Sequence, residues 1–247
     1  MVLAMSHARW VAKLAHPWDN SDAFKRGLVA REAEICALCG ANFRMRVQAS
    51  VALHTLGLPG VGALIEALRT RRELAIYETA TRNVFRAQAL ESVANYVTSE
   101  YLDGAQPGSR VGGVLHQDLE RLTFADESFD LVLTSEVLEH VADLGRALSE
   151  IHRVLKPGGS HVFTIPVDPE LPAMRERARV VDGRIEHLEP PVMHGDSLRE
   201  AGIIAFRDFG ADTADRMTSA GLACREVKFT DASGRYISSV FVARKHG

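Results

Sequence analysis

The amino-acid sequence predicts an α/β protein that has a mostly parallel sheet with helices on both faces. Two observations predict this class. From residue 73 onwards, short apolar runs alternate with helical stretches, and strands that alternate with helices form parallel sheets with right-handed crossovers. Before residue 73 the patterns are helical. We therefore expect a helical N-terminal cap over residues 1–72 and one α/β domain over residues 73–247.

The composition is typical of a globular protein. Of the 247 residues, 46% are hydrophobic and 25% are charged, and the formal net charge is −3. No window holds the roughly 18 uncharged apolar residues that a membrane-spanning helix needs, and the net charge does not favour nucleic acid. His7, Arg9 and Lys13 interrupt the N-terminal stretch before a secretory apolar core forms. We expect a cytoplasmic protein with neither a nucleic-acid nor a membrane partner.

Helical periodicity defines the elements of the cap. Residues 1–30 are expected to form one or two helices with an apolar stripe, which consists of Trp10, Val11, Leu14 and Ala15. Residues 43–56 form the next predicted helix, and the sequence Gly57-Leu58-Pro59-Gly60 ends it. A short helix is then expected from Val61 to Leu68.

Cys36 and Cys39 have the spacing of one half of a zinc knuckle. A structural zinc ion takes four ligands, and the sequence has no second pair with this spacing. The histidines that folding would have to bring to the pair are His7, His16 and His54. We therefore expect a packed turn and assign no metal ligand. The odd cysteine count of three suits a reducing compartment.

Short apolar runs define the strands of the α/β domain. In chain order they cover residues 74–77, 96–99, 112–116, 129–135 and 160–165. A helical stretch is expected between the first two runs, as far as Ala94, and a second helix over about residues 142–155. These elements alternate as a parallel sheet requires.

The C-terminal part returns to the sheet after an interruption. Residues 167–206 are polar and rich in Pro, Arg and Glu, and we expect an irregular insertion there. A helix at about 210–220 precedes two strands, 222–229 and 235–243. The turn Asp231-Ala232-Ser233-Gly234 joins these strands.

Three successive predicted strands lead into an acidic residue: Glu78, Glu100 and Asp118. Ligands of open α/β sheets bind at the carboxyl ends of the strands. An acid after the second strand can accept hydrogen bonds from a ribose diol, and an acid after the third can accept one from an adenine amino group. The structural alternative is that these acids cap the helices that follow.

The segment from Asp118 to Ile165 contains an ordered series of short motifs. They are Asp118-Leu119 with Phe124, Ser128-Phe129-Asp130, Val137-Leu138-Glu139-His140-Val141, Glu150 with Arg153-Val154-Leu155, and Lys156-Pro157-Gly158-Gly159. In this order and spacing they resemble the core of class I S-adenosylmethionine-dependent methyltransferases of the type 11 group. The resemblance covers residues 72–166 well and the C-terminal strands loosely.

This resemblance implies a Rossmann-like sheet of seven strands, the last antiparallel, and S-adenosylmethionine as the cofactor. It also implies roles for single residues. Glu100 matches the acid that holds the ribose hydroxyls. Asp118 matches the acid near the adenine amino group, with the Leu119 backbone beside the ring. Ser135 and Glu136 match positions near the methionyl part and the methyl group.

The loop after the first strand departs from the family pattern. The family has an acid followed by alternating glycines, which let the backbone approach the cofactor. Here Glu78 is followed by Thr79-Ala80-Thr81-Arg82-Asn83-Val84, without glycine. Either Arg82 pairs with the carboxylate of the cofactor through a charge-assisted hydrogen bond, or the loop is degenerate and cofactor binding is weak or lost.

Methyl transfer from a sulfonium is an in-line displacement, and it often requires a base for one proton. The candidate bases are His140, Glu136, His194 and Asp196. His140 follows the fourth strand on the cofactor side, although it also suits a helix cap or a backbone hydrogen bond. His194 and Asp196 lie in the insertion, where such enzymes build acceptor pockets, and Asp196 equally suits a turn.

Three functions follow from these observations. The preferred one is a methyltransferase acting on a hydroxyl or amine of a small molecule, such as a sugar or a secondary metabolite. The second is an enzyme that cyclises or cleaves S-adenosylmethionine without methyl transfer. The third is a non-catalytic cofactor-binding module. The identity of the acceptor and the oligomeric state, with a homodimer as one option, stay open.

Overall fold

The computed structural model describes residues 19–196, 198–219 and 221–247. The predicted stripe from Trp10 to Ala15, together with His7 and His16, lies outside the described residues. No helix within these ranges is long and apolar enough to cross a membrane.

From residue 19 onwards, three helices precede the first strand: α1 (Asp22–Ala33), α2 (Phe43–Thr55) and α3 (Val61–Thr70). The hydroxyl of Ser21 accepts a hydrogen bond from the Phe24 backbone N–H at the start of α1, and the Asn42 side chain accepts one from Met45 at the start of α2. Both side chains satisfy a backbone donor that the first helical turn leaves unpaired. The helices expected over 43–56 and 61–68 are confirmed to within two residues.

The rest of the chain contains two more helices and all of the strands. The helices are α4 (Leu144–Val154) and α5 (Thr213–Ser219). The strands are β1 (Ile76–Glu78), β2 (Tyr96–Thr98), β3 (Arg110–Val111), β4 (Val114–Leu115), β5 (Phe129–Ser135), β6 (Leu155–Thr164), β7 (Arg175–Glu176), β8 (Ala178–Val181), β9 (Arg184–His187), β10 (Met193–His194), β11 (Ile203–Ile204), β12 (Arg207–Asp208), β13 (Leu222–Thr230) and β14 (Tyr236–Lys245).

Six strands form the central sheet in the order β13-β14-β6-β5-β1-β2. Strands β2, β1, β5 and β6 run parallel to one another, and β14 runs antiparallel to both of its neighbours. The predicted mostly parallel α/β sheet with an antiparallel last strand is therefore confirmed.

The sheet has six strands instead of the seven expected, because the predicted strand at residues 112–116 is reduced to a bridge. Beyond β2, the only pairing described at this edge is a parallel bridge between Glu100 and His116. The residues expected to form the strand instead enter the β3–β4 hairpin, whose turn holds Gly112 and Gly113 at φ of 59° and 86°. Positive φ angles suit a tight hairpin turn and are incompatible with an extended strand.

The helix predicted between β1 and β2 is wrong. Over residues 79–95 the structure has a loop and a short 3₁₀ turn, Gln88–Ser92. The Asn83 side chain accepts a hydrogen bond from Ala87 N–H and donates one to Ala87 C=O, and Arg86 has a φ of 53°. Short polar side chains that bond the backbone in this way compete with helix formation.

Alternating side chains of the central strands bury a hydrophobic layer on each face of the sheet. Ile76, Leu131 and Leu133 pack on the side covered by α2 and α3. Tyr77, Val132 and Phe163 pack on the side covered by α4 and α5. The two-residue period of a strand produces this division, and the predicted helices on both faces are confirmed.

The expected insertion, residues 167–206, contains short strands. Strands β8 and β9 form a hairpin, and β10 pairs with β11. Phe206 N–H donates a hydrogen bond of 2.7 Å to the Glu139 carbonyl. This contact places the end of the insertion against the segment that follows β5.

Candidate functional site

Two groups of polar side chains lie at the carboxyl ends of the parallel strands. The first, the edge group, consists of Glu78, Glu100 and Asp118, which follow or end β1, β2 and the bridge at His116. The second, the β5 group, consists of Glu136, Glu139, His140 and His194. Because carboxyl ends of parallel strands share one edge of the sheet, this is where an α/β fold binds ligands.

Glu78 closes the loop that follows β1. Its carboxylate accepts a hydrogen bond of 2.7 Å from Val84 N–H and another from the Tyr96 hydroxyl. Burial raises the pKa of Glu78 to about 8, although both hydrogen bonds favour the charged form. Glu78 is therefore committed to the loop and to β2.

Glu100 is also engaged by this loop. Its Oε1 accepts hydrogen bonds from the backbone N–H and the hydroxyl of Thr81, both at 2.8 Å. A ribose diol at Glu100 must therefore compete with Thr81 for this oxygen.

Asp118 lies in the turn after the bridge, where its Oδ1 accepts a hydrogen bond of 2.9 Å from Glu120 N–H. Leu119 is buried in the core. Burial raises the pKa of Tyr77, and the charges of Glu100 and Asp118 raise it further. The structure therefore brings these two acids to the same buried tyrosine.

Arg82 directly follows Thr81, the residue that bonds Glu100. Its side chain is exposed and lines an open cleft of about 390 Å³. The other lining residues are Cys39, Thr81, Asn83, Arg86, Gln88 and Glu91. Neither Glu100 nor Asp118 belongs to this lining, so the pairing of Arg82 with a cofactor carboxylate stays a prediction.

Ser135, at the end of β5, is hydrogen-bonded to helix α2. Its hydroxyl donates a hydrogen bond of 2.6 Å to Oε1 of Gln48 in α2. The buried Gln48 amide in turn donates to the carbonyls of Thr134 and Val162. These bonds hold α2 against the ends of β5 and β6.

Glu136 follows β5 in the left-handed region, with a φ of 55°, and its carboxylate meets two arginines. Arg31 of α1 is 2% exposed and donates a hydrogen bond of 2.7 Å to Oε2. Arg44 of α2 lies 3.8 Å from Oε1. Burial raises the pKa of Glu136, and both arginines oppose this rise. The sequence analysis selected Glu136 but neither arginine.

Glu139, His140 and His194 form a compact cluster. Glu139 is fully buried, and neither of its carboxylate oxygens accepts a hydrogen bond from the residues that the structure describes. Nε2 of His140 lies 3.6 Å from Glu139 Oε1, and Nδ1 of His194 lies 3.7 Å from the same oxygen. The two imidazole rings are 4.8 Å apart at an angle of 86°. The sequence analysis proposed both histidines as bases but missed Glu139.

The titration of this cluster follows from burial and from the charges of its members. Burial alone would raise the pKa of Glu139, but the neighbouring His140 and His194 outweigh it, and the pKa lies below its ordinary value. Burial lowers the pKa of His140, and Glu139 offsets this only in part. A neutral imidazole beside an ionised carboxylate is the result at neutral pH.

Arg207 supports the turn that carries Glu139 and His140. Its guanidinium donates hydrogen bonds to the carbonyls of Leu138, Val141 and Ala142, at 2.8, 2.5 and 3.0 Å. Three bonds from one planar group hold the turn in a single geometry.

Asp196, the remaining candidate base, is held by its own loop. Its carboxylate accepts hydrogen bonds from Leu198 N–H, at 2.8 Å, and from the Arg199 guanidinium. Both interactions lie within the segment from Asp196 to Arg199, so this carboxylate is engaged by its own loop.

Cys36 and Cys39 lie in a tight turn closed by a hydrogen bond of 2.9 Å from Gly40 N–H to the Cys36 carbonyl. Backbone N–H groups of Cys39 and Leu38 lower the pKa of the Cys36 thiol. In the described part of the chain, the one group of three residues with metal-ligand spacing is Glu139, His140 and His194. The expectation that the cysteine pair holds no metal stays a prediction.

Comparison with known proteins agrees with this architecture. Residues 59–163 match a family model described as a methyltransferase domain. A malonyl-[acyl-carrier protein] O-methyltransferase of Pseudescherichia vulneris is 38% identical over 68 residues, which are 28% of this chain and 27% of that protein. A demethylmenaquinone methyltransferase of Staphylococcus epidermidis is 43% identical over 63 residues, 26% of each chain. The chain thus spans about a quarter of the length of these curated relatives.

Among solved structures, a 1,6-didemethyltoxoflavin-N1-methyltransferase of Burkholderia thailandensis has 17% sequence identity and a TM-score of 0.46. The alignment covers 83% of this chain and 79% of that chain. The fold is that of an open α/β protein in which polar side chains lie at the carboxyl ends of β1, β2 and β5. Within that class, residues 59–163 match the model of a methyltransferase domain, in agreement with the resemblance of the motifs between Asp118 and Ile165.

Proposed function

We propose that the protein is an S-adenosylmethionine-dependent methyltransferase that acts on a hydroxyl or amine of a small molecule. The observation that carries the proposal is the pair of carboxylates, Glu100 and Asp118, at neighbouring strand ends of a sheet with this order. The family match over residues 59–163 supports the same activity. The name of one relative, an O-methyltransferase, favours oxygen as the accepting atom.

The edge group suits a nucleoside because two acceptor oxygens are available. Oε2 of Glu100 and Oδ2 of Asp118 accept no hydrogen bond from the residues that the structure describes. We assign the ribose hydroxyls to Glu100 and the adenine amino group to Asp118, with the Leu119 backbone beside the ring. The ribose hydroxyls would displace Thr81 from Glu100. When bound, S-adenosylmethionine supplies an electrophilic methyl group.

The β5 group suits the acceptor side of the reaction. In-line transfer requires the accepting atom about 3–3.5 Å from the methyl carbon, along the axis of the breaking bond. Ser135 and Glu136 would border the methionyl part, and Glu136 is already paired with Arg31. Nδ1–H of His140 donates to the Ile204 carbonyl at 2.7 Å, so Nε2 carries the lone pair. We therefore assign His140 as the group that takes the proton of the acceptor, with His194 beside it.

Calorimetric titration with S-adenosylmethionine tests the cofactor assignment. Glu100→Ala and Asp118→Ala each remove one acceptor of hydrogen bonds, and each should weaken binding by about 1.5–3 kcal/mol, or about 10- to 150-fold. Glu73→Ala, at an exposed position outside both groups, serves as the control and should bind as the wild type does. Unchanged affinity in both test variants would overturn the assignment.

Product analysis by mass spectrometry tests the reaction. Incubation of the pure protein with S-adenosylmethionine and small-molecule extract should yield S-adenosylhomocysteine. Methylthioadenosine as the product would instead indicate an enzyme that cyclises or cleaves the cofactor. Binding without any turnover would indicate a non-catalytic binding module.

A further inference from the structure

The carboxylate of Glu139 is buried beside two imidazoles, those of His140 and His194. The residue has no exposed surface, and both of its oxygens are without a hydrogen bond among the described residues. Buried carboxylates are normally paired with a cation or hydrogen-bonded, because an uncompensated buried charge is strongly unfavourable. The side chains around Glu139 therefore indicate which kind of ligand its carboxylate would bind.

The groups that face Glu139 are nitrogen acceptors as well as possible donors. His140 uses its Nδ1–H on the Ile204 carbonyl, so the nitrogen that lies 3.6 Å from Glu139 Oε1 is the one with the lone pair. His194 presents Nδ1 to the same oxygen at 3.7 Å. Both distances are longer than a hydrogen bond, so the carboxylate oxygen and the two ring nitrogens lie together without being bonded to one another.

The nearby cationic side chains are committed elsewhere. Arg44 donates to Glu32 at 2.6 Å, and Arg207 donates to the carbonyls of the turn from Leu138 to Ala142. These arginines lower the negative potential around Glu139 but do not bond its oxygens.

We propose that Glu139, His140 and His194 bind a divalent transition-metal ion. Their ligand atoms all lie within 4.8 Å of one another, and metal bonds of about 2.0–2.2 Å to imidazole nitrogen and carboxylate oxygen would draw these atoms closer together. One carboxylate with two imidazoles suits zinc, manganese, cobalt or iron better than magnesium or calcium, which prefer oxygen ligands.

The surroundings of the cluster match those of a metal centre. A ligating imidazole usually donates its other N–H to a carbonyl or carboxylate, as His140 does to Ile204. Phe206 N–H holds the Glu139 carbonyl at 2.7 Å, and Arg207 holds the turn around it. Three protein ligands leave further coordination positions open, as in catalytic sites.

If the protein is a methyltransferase, the open positions would take an oxygen of the acceptor, and this consequence depends on the proposed function. The ion would lower the pKa of a bound hydroxyl. It would then replace His140 as the group that prepares the acceptor. Metal binding itself does not depend on methyl transfer.

Cobalt(II) chloride is the probe for the test, and binding is followed by calorimetry and by visible absorption, without S-adenosylmethionine. The protein carries Cys36→Ser and Cys39→Ser, which removes thiolate binding at the cysteine turn, and is first dialysed against chelator. We expect one cobalt ion per chain. Glu139→Gln and His194→Ala should each weaken binding at least about 100-fold, since each removes a ligand. His187→Ala, at an exposed position in β9, should bind cobalt normally.

Absence of binding at millimolar cobalt would overturn the proposal, as would equal affinity in both ligand variants. If Glu139→Gln does not fold, His194→Ala alone decides, because His194 lies on the short β10 strand away from the central sheet. Loss of turnover in the product analysis with cobalt binding intact would reject the proposed function and leave the metal site standing.

Discussion

The edge group and the β5 group compensate their carboxylates in opposite ways. In the edge group, Glu78 and Glu100 accept hydrogen bonds from Val84 and Thr81, which belong to the same loop after β1. In the β5 group, Glu136 is held by Arg31, 105 residues away along the chain. Within the described part of the chain, Glu139 accepts no hydrogen bond on either oxygen. Carboxylates of the edge group are thus stabilised by hydrogen bonds from a loop that is near in sequence. In the β5 group, Glu136 is stabilised by the charge of a residue that is distant in sequence.

This difference predicts how substitutions in the two groups affect ligand affinity and protein stability. At the edge group a ligand competes with hydrogen bonds that the loop already makes, each with a net value of about 0.5–1.5 kcal/mol. At the β5 group, removal of one member of a buried ion pair costs about 3–5 kcal/mol. We therefore expect changes in the β5 group to act mainly on stability and changes in the edge group mainly on affinity.

The largest effect is expected from Arg31→Met. The substitution leaves the Glu136 carboxylate buried without its 2.7 Å partner, and the free energy of unfolding should fall by about 3 kcal/mol. Urea denaturation at pH 7 measures the change. The double variant Arg31→Met/Glu136→Gln should recover part of the loss, since no unpaired charge remains.

Arg179→Met is the matched control for this prediction. Arg179 pairs with Glu186 at 2.8 Å, but both side chains are exposed, and solvent-exposed pairs contribute little to stability. No resolvable change is expected. If Arg31→Met lowered the free energy of unfolding no more than Arg179→Met does, the Glu136–Arg31 ion pair would not contribute the stability expected of a buried pair.

A medium effect is expected from pH through Glu78. Its pKa is raised to about 8 in the folded protein, mainly by burial, whereas the unfolded carboxyl titrates near its ordinary value. Between these two values the folded state binds more protons, so stability falls as pH rises. Between pH 6.5 and pH 8 the wild type should lose about 2 kcal/mol through this residue.

Glu78→Gln should remove this slope, because the amide does not titrate. Denaturation curves at pH 6.5, 7.25 and 8 measure it. The window starts at 6.5 because burial lowers the pKa of His161 to about 3, and that group raises stability with pH in the more acidic range. A slope that is equal in wild type and variant would show that Glu78 is ionised throughout the window.

The smallest effect is expected from Thr81→Val. This nearly isosteric change removes the hydroxyl that donates to Glu100 at 2.8 Å. It should strengthen S-adenosylmethionine binding by about 0.5–1 kcal/mol, since the ribose then displaces one hydrogen bond fewer. Calorimetric titration measures the change, with Thr70→Val, whose hydroxyl bonds within α3, as the control. Weaker binding would instead make Thr81 a contact of the cofactor.

Local patterns predicted most of the elements correctly. The apolar run at β5, the amphipathic helix α4 and the hairpin of β13 and β14 lie within two residues of their expected bounds. β5 is an apolar run that is buried almost throughout, and α4 buries one face. Such local patterns can be recognised without knowledge of the packing partners. The helix after β1 failed because the Asn83 side chain bonds the backbone of Ala87, a contact that competes with the helical pattern.

The candidate site was predicted less completely. His140 and His194 were selected separately, one from a motif after β5 and the other from the insertion, with no sign that they share a carboxylate. Glu139 was missed although a signal existed, because an acid between Leu138 and Val141 interrupts an otherwise apolar segment. Arg31 and Arg44 carried no signal, since nothing in a charged residue of an ordinary helix indicates which strand end it will meet.

The sequence by itself therefore determined the α/β class, most of the helices and strands, and the acids at the strand ends. Periodicity and short motifs are local, and they act before any distant segment is in place. Only the tertiary structure decided which charges meet. Three contacts depend on how the helices, the loop after β1 and the insertion pack over the edge of the sheet. They are the ion pair of Glu136 with Arg31, the hydrogen bonds from Thr81 to Glu100, and the contact between Glu139 and His194. The energy of such pairs depends on burial and on the distance between the groups in space. Neither quantity can be predicted from the spacing of residues along the chain.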